Sequence, residues 1–152
     1  MQQTIQTDQF GQVEYNSATH SYDGQHRVSC FHSKQFSINA DEFNEGLEQL
    51  HAFLSWLDAN QTKMKHRVEY AIEDNDLIWD DTWDSILGDD WAERWDESGD
   101  GFLEDYLQFV SVNFYQNHIH LWVNTSGLHS DHLVHAHIKR ENEAFDVDYC
   151  EL

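Results

Sequence analysis

The last third of the chain constrains its fold most. Strand-forming runs lie at residues 107–115, 118–124, 132–138 and 145–150, and Gln116-Asn117, Ser126-Gly127 and Glu141-Asn142 supply turn signals between them. Connections this short allow an antiparallel meander but not parallel crossovers. In the second run Ile119, Leu121 and Val123 alternate with His118, His120 and Trp122. In the third, Val134, Ala136 and Ile138 alternate with Leu133, His135 and His137. A period of two assigns the aliphatic side chains to one face and the imidazoles to the other. A hairpin centred near Gly127 sets His120 opposite His135, His118 opposite His137 and Trp122 opposite Leu133.

The first third adds shorter strands. Residues 10–15 alternate weakly, Asp23-Gly24 signals a turn, and runs at 26–31 and 35–38 flank a second turn at His32-Ser33-Lys34. Helix follows. Asn39, with Glu42 three residues on, has the form of a capping box. Phe43, Leu47, Leu50, Leu54 and Leu57 then form an apolar stripe at spacings of three and four. The stripe continues through Met64, Val68 and Ala71, and Asp58-Ala59-Asn60 predicts two helices or one kinked helix over roughly residues 41–73. The whole reads as α+β, an antiparallel β-sheet with two or three helices packed on one face. The 152 residues suit a single domain over 1–152; with 9 Phe, 6 Tyr and 6 Trp they can build a core despite a mean hydropathy of -0.72.

Charge is the second constraint. The formal net charge is -21, and residues 73–105 hold 14 acidic side chains against one basic, Arg94. Such a chain repels phosphate backbones and anionic lipid, so nucleic acid and membranes are poor partners and a basic protein is the expected one. Trp79 and Trp83, and again Trp91 and Trp95, are four apart and share a face of a helical turn. Crowded carboxylates repel one another, a cost that a fold alone does not require. The expected partner-binding surface is Trp79, Asp80, Asp81, Trp83, Asp84, Asp89, Asp90, Trp91, Trp95 and Asp96. The indoles would act as anchors and the carboxylates would steer encounter; the competing reading puts the indoles in the core. Asp96, Ser98, Asp100 and Gly101 match the opening of a calcium loop, but Leu107 stands where the bidentate Glu belongs.

Other chemistry is sparse. Cys30 and Cys150 are the only cysteines and have no metal-ligand spacing. They are expected as reduced thiols, unless a terminal strand beside an early one pairs them. No nucleophile elbow or phosphate-cradling loop is present, and no spacing singles out a carboxylate pair. No catalytic residue and no cofactor are therefore assigned, and the chain is not read as an enzyme. Residues 1–8 lack the basic and apolar character of a secretory signal, and no run is apolar enough for a membrane span, which makes the cytoplasm the expected location. The alternative function is a metal-binding protein or metal-dependent hydrolase using His118, His120, His135 and His137, since imidazole is a ligand for zinc, copper and nickel.

The succession Leu107-Gln-Phe-Val-Ser-Val-Asn-Phe114, His118-Ile-His-Leu-Trp-Val-Asn124 and Gly127-Leu-His-Ser-Asp-His132-Leu-Val-His-Ala-His-Ile138 runs strand, short turn, strand, glycine-containing turn, then a histidine opening the next strand. In this it resembles a group of small acidic bacterial domains of unknown function, over roughly residues 10–150. The glycine-and-acid turn of that group is here only Gln116-Asn117. Domains of this kind often accompany bacterial toxins as immunity proteins. The resemblance implies a toxin-blocking role and carries no catalytic residue over; His132 matches only the sequence pattern. Charge and resemblance together give the expected function: a bacterial immunity-type protein that binds and blocks a basic toxin, with a nuclease and its basic phosphate cleft as the natural target. A DNA mimic is a third reading, and it requires carboxylates spaced like phosphates along a rod.

Overall fold

A computed structural model describes residues 3–152. Eight strands lie side by side in sequence order: β1 (Thr4–Thr7), β2 (Gly11–Asn16), β3 (Ser21–Gln25), β4 (Gln35–Asn39), β5 (Gln108–Tyr115), β6 (His118–Asn124), β7 (Val134–Glu141) and β8 (Ala144–Glu151). Neighbours are antiparallel except β4 and β5, which run parallel. A parallel step needs a long crossover, and the whole helical region supplies it: α1 (Phe43–Ala59), α2 (Gln61–Asp74), α3 (Asp80–Leu87) and α4 (Trp91–Ser98). The fold is α+β as the pattern predicts, with two long helices and two short ones.

The apolar stripe becomes the buried face of the long helices. Leu47, Leu50, Phe53, Leu54 and Leu57 of α1 and Met64, Val68, Ala71 and Ile72 of α2 are buried. The helices part at Asn60 (φ -134°), whose Nδ2 donates to the Trp56 carbonyl at 2.7 Å. Asn39 caps, but the turn it caps is a short 3-10 segment, Ala40–Glu42, ahead of α1, and Glu42 accepts the Gln116 and Asn117 N–H groups instead of closing the expected capping box. Where α1 meets the sheet it does so through Gly46. A Cβ there would lie 2.3 Å from Ile38 Cγ2 and 3.0 Å from Phe114 Cδ1, so any side chain would push the helix off its seat.

The first third departs from expectation in three places. β1 carries no clear alternation and was not anticipated. Asp23-Gly24 lies inside β3 instead of forming a turn, because the ring of Phe36 rests on Gly24: a Cβ would sit 2.5 Å from Phe36 Cζ. Residues 26–31 form a loop instead of a strand. Lys34 Nζ donates to the Val28 and Phe31 carbonyls, both at 2.9 Å, and Phe31 alone bridges to Phe109.

The C-terminal meander has the predicted faces with a different register. His120 pairs with His137 and Trp122 with His135, a displacement of two residues. The cause lies in the connection after β6. His129 is fully buried; its Nε2 donates to the Leu77 carbonyl at 2.6 Å and its Nδ1 accepts from the Thr125 hydroxyl at 2.8 Å. With Leu128 also at 0 % exposure, the hairpin is centred on this buried pair instead of near Gly127. An even displacement keeps every side chain on its own face.

A bulge at Asp148 has the opposite effect. His137 pairs with Tyr149 while Ile138 pairs with Val147. The extra residue flips the end of β8, so Cys150 joins Phe145 and Val147 in the core while Tyr149 and Glu151 move to the histidine face. Cys30 and Cys150 are unpaired, and burial pushes the Cys150 thiol up to about 12. No helix among the described residues is long and apolar enough to cross a membrane.

Candidate functional site

The acidic segment folds into α3 and α4 around its own aromatic cluster. Trp83 is fully buried, with ring centroids 5.1 Å from Trp91 and 5.8 Å from Trp95, and Trp95 stacks on Phe102 at 5.6 Å. Trp91 is also buried, and its Nε1 donates to Asp84 Oδ1 at 2.8 Å. Trp79 and Trp95 are half-buried. The expected role of projecting anchor is therefore corrected for Trp83 and Trp91. One indole of each pair turns inward, because helices this short are held mainly by the apolar groups they bury, here Trp83 and Leu87 of α3 and Trp91 of α4.

Asp80, Asp81, Asp84, Asp89, Asp90 and Asp96 are all exposed. They lie on two eight-residue helices and on the Gly88–Asp90 turn that parts them (Gly88 φ 94°), and not on one straight rod as DNA mimicry requires. Arg94 is spent internally, on Asp90 at 3.1 Å and on the Leu87 carbonyl.

Between α2 and α4 lies a cleft of ≈ 320 Å³. Its walls include Glu73, Asp96 and Asp100 together with Tyr70, Trp91 and Trp95. Two features that local patterning cannot reveal hold its floor. Glu69, 2 % exposed, accepts the Gly101 N–H at 3.0 Å and the Leu103 N–H, while the Tyr70 hydroxyl donates to Asp100. Burial pushes the Glu69 carboxyl above its ordinary range, against the downward pull of those two N–H groups. The calcium-like run 96–101 thus has its backbone amide engaged by Glu69 and its Asp100 engaged by Tyr70. Sequence spacing hints at neither contact, because each joins residues at least thirty apart.

A second concavity, ≈ 460 Å³, is lined by His26, Arg27, His51, Ser55 and Asp58 among others. His26 is 6 % exposed; its Nδ1 accepts the Val28 N–H at 3.2 Å, which leaves Nε2 protonated and without a partner among the described residues. Burial, aided by Lys34, lowers its pKa to about 4. The unfolded chain therefore takes up a proton first as pH falls. The stability is fully present above about pH 6.5 and is lost towards pH 4, about 3 kcal/mol in all. Urea unfolding at about pH 7 and about pH 4.5 should show the wild type losing roughly 2–3 kcal/mol more than His26→Asn, which keeps the acceptor and cannot titrate.

Among the described residues, the group of three side chains placed to hold a metal is His120, His135 and His137, whose donor atoms lie within 4.8 Å of one another. His118 does not join them. The β6–β7 ladder begins at Ile119, and His118 is left exposed beyond its end.

No family model, curated protein or solved structure matches this chain.

Proposed function

We propose that the chain is an immunity-type binding protein that blocks a basic toxin by occlusion. The cleft between α2 and α4 carries the proposal. Carboxylates of Glu73, Asp96 and Asp100 beside the rings of Tyr70, Trp91 and Trp95 form a receptor for a Lys or Arg side chain, combining ion pairing with cation–π attraction. The roles first assigned are thereby reversed: the partner supplies the knob and the indoles line the hole. The exposed aspartates of α3 and α4 surround the cleft with negative potential and speed encounter. A nuclease is the favoured target, because its substrate site must itself be basic. The strand pattern shared with small acidic bacterial domains supports the same role, and two unpaired thiols suit the cytoplasm.

The test is association with a basic toxin domain, to be sought among the products of the neighbouring genes. The triple variant Glu73→Gln, Asp96→Asn, Asp100→Asn should slow association about tenfold at low salt, and the gap should close by about 0.5 M salt. Stopped-flow rates that match wild type at every ionic strength would dismiss the cleft as the docking site.

A further inference from the structure

We infer that His120, His135 and His137 form a binding site for a borderline divalent transition ion, zinc foremost, on the sheet face opposite α1 and α2. His120 Nε2 lies 3.0 Å from the Tyr115 carbonyl, which only accepts, so that nitrogen carries the ring's N–H. His137 Nε2 makes a 3.3 Å hydrogen bond to Glu151 Oε1, also an acceptor, so that nitrogen carries the His137 N–H; His135 Nδ1 lies 3.3 Å from the same oxygen, within ion-pair reach, and the carboxylate draws the His135 N–H to that side. With the His135 proton on the Glu151 side, the three N–H groups of the three neutral rings all point outward. His120 Nδ1 and His135 Nε2 then face each other at 2.6 Å as bare lone pairs. That contact is repulsive unless a cation sits beside it.

The surroundings are those of a ligand set. Each ring has a carbonyl or carboxylate oxygen within 3.3 Å of its far nitrogen, the kind of neighbour that orients a ligating histidine. Each also stacks on an aromatic ring: His120 on Tyr115 at 3.7 Å, His135 on Trp122 at 4.1 Å and His137 on Tyr149 at 4.0 Å. Tetrahedral zinc spaces its nitrogens about 3.3 Å apart, inside the 2.6 to 4.8 Å span of these donors. His120 is 1 % exposed, but the His137 side chain is 12 % exposed and Glu151 is 54 % exposed, so an ion enters along that edge and a water completes its coordination. Three nitrogen donors favour zinc, copper or nickel over calcium or magnesium.

Chelator-treated, tag-free protein titrated with zinc chloride in a calorimeter should bind one equivalent, and excess magnesium should not displace it. Cobalt(II) in its place should give the visible absorption of a tetrahedral site. His137→Gln, at the accessible edge, should lower zinc affinity by at least a hundredfold, and Glu151→Gln by about 10–100-fold. Circular dichroism must show both variants folded; should His137→Gln not fold, Glu151→Gln and the cobalt spectrum decide. Zinc binding that magnesium competes away, or that ignores both substitutions, is collection by an acidic surface and overturns the site. A metal-free protein whose imidazole ¹⁵N shifts reveal a shared proton, with no stoichiometric zinc uptake, overturns it equally.

Discussion

Trp83→Ala should cost about 3–5 kcal/mol, the usual range for emptying a buried aromatic position. Trp83 has 0 % exposure and touches the rings of Trp91, Trp95 and His129. Removing it leaves a void that α3 and α4 can close only by shifting both helices. The indole has one flaw: its Nε1–H is buried and finds no acceptor among the described residues. Trp83→Phe discards that unpaired donor along with part of the ring, so the two changes offset and the cost should stay near 1 kcal/mol. Urea denaturation of both variants checks the pair. An alanine variant as stable as the phenylalanine one would mean that the aromatic cluster does not hold the acidic segment to the sheet. The consequence for function is direct, since Trp91 and Trp95 of the same cluster line the cleft. Partner binding should fail in Trp83→Ala although no surface charge has changed.

That cluster shows how far the sequence could be read. Spacing of four located the indole pairs and placed each on one face, but periodicity cannot say whether a face turns to solvent or to core. Only the mass of neighbouring apolar groups decides, and His129, which packs on Trp83, comes from a distant part of the chain. The long helices were legible because their stripe spans many turns, and the break at Asn60 because its residues favour caps. The strand faces of β6 and β7 were legible for the same reason of period. Their register was not, because the buried His129 contact with Leu77 moves the turn. Nor could Glu151 have been placed beside His135 and His137: an unbulged strand through Phe145 and Val147 would point residue 151 into the core. Three of the four histidines expected together are together, and the residue that orients two of them entered through a backbone irregularity. In the first third, the loop over residues 26–31 is pinned by Lys34 through contacts three and six residues back, which strand periodicity does not register.

Glu69→Leu should destabilise the protein by about 2–5 kcal/mol, more than a half-polar helix position ordinarily would. The carboxylate is the acceptor for two backbone N–H groups, of Gly101 and Leu103. Leucine leaves both unpaired, at about 1–3 kcal/mol each, and returns part of that by removing a charge held away from water. Glu69→Gln keeps one acceptor oxygen and also removes the charge, so it should cost about half as much. The loop cannot simply relax to compensate. Gly101 has φ 90°, and a Cβ there would lie 2.9 Å from His66 Nε2, so the segment is seated tightly against α2. Amide exchange at Gly101 and Leu103 should quicken in Glu69→Leu beyond what the global loss of stability explains, a sign of local opening. Because the same loop carries Gly99 and Asp100 into the cleft, the leucine variant should also bind a basic partner more weakly than loss of one negative charge predicts. Equal stability and equal exchange in the leucine and glutamine variants would show that the carboxylate is not what holds this loop, and the cleft would then have to be shaped by Tyr70 and the indoles alone.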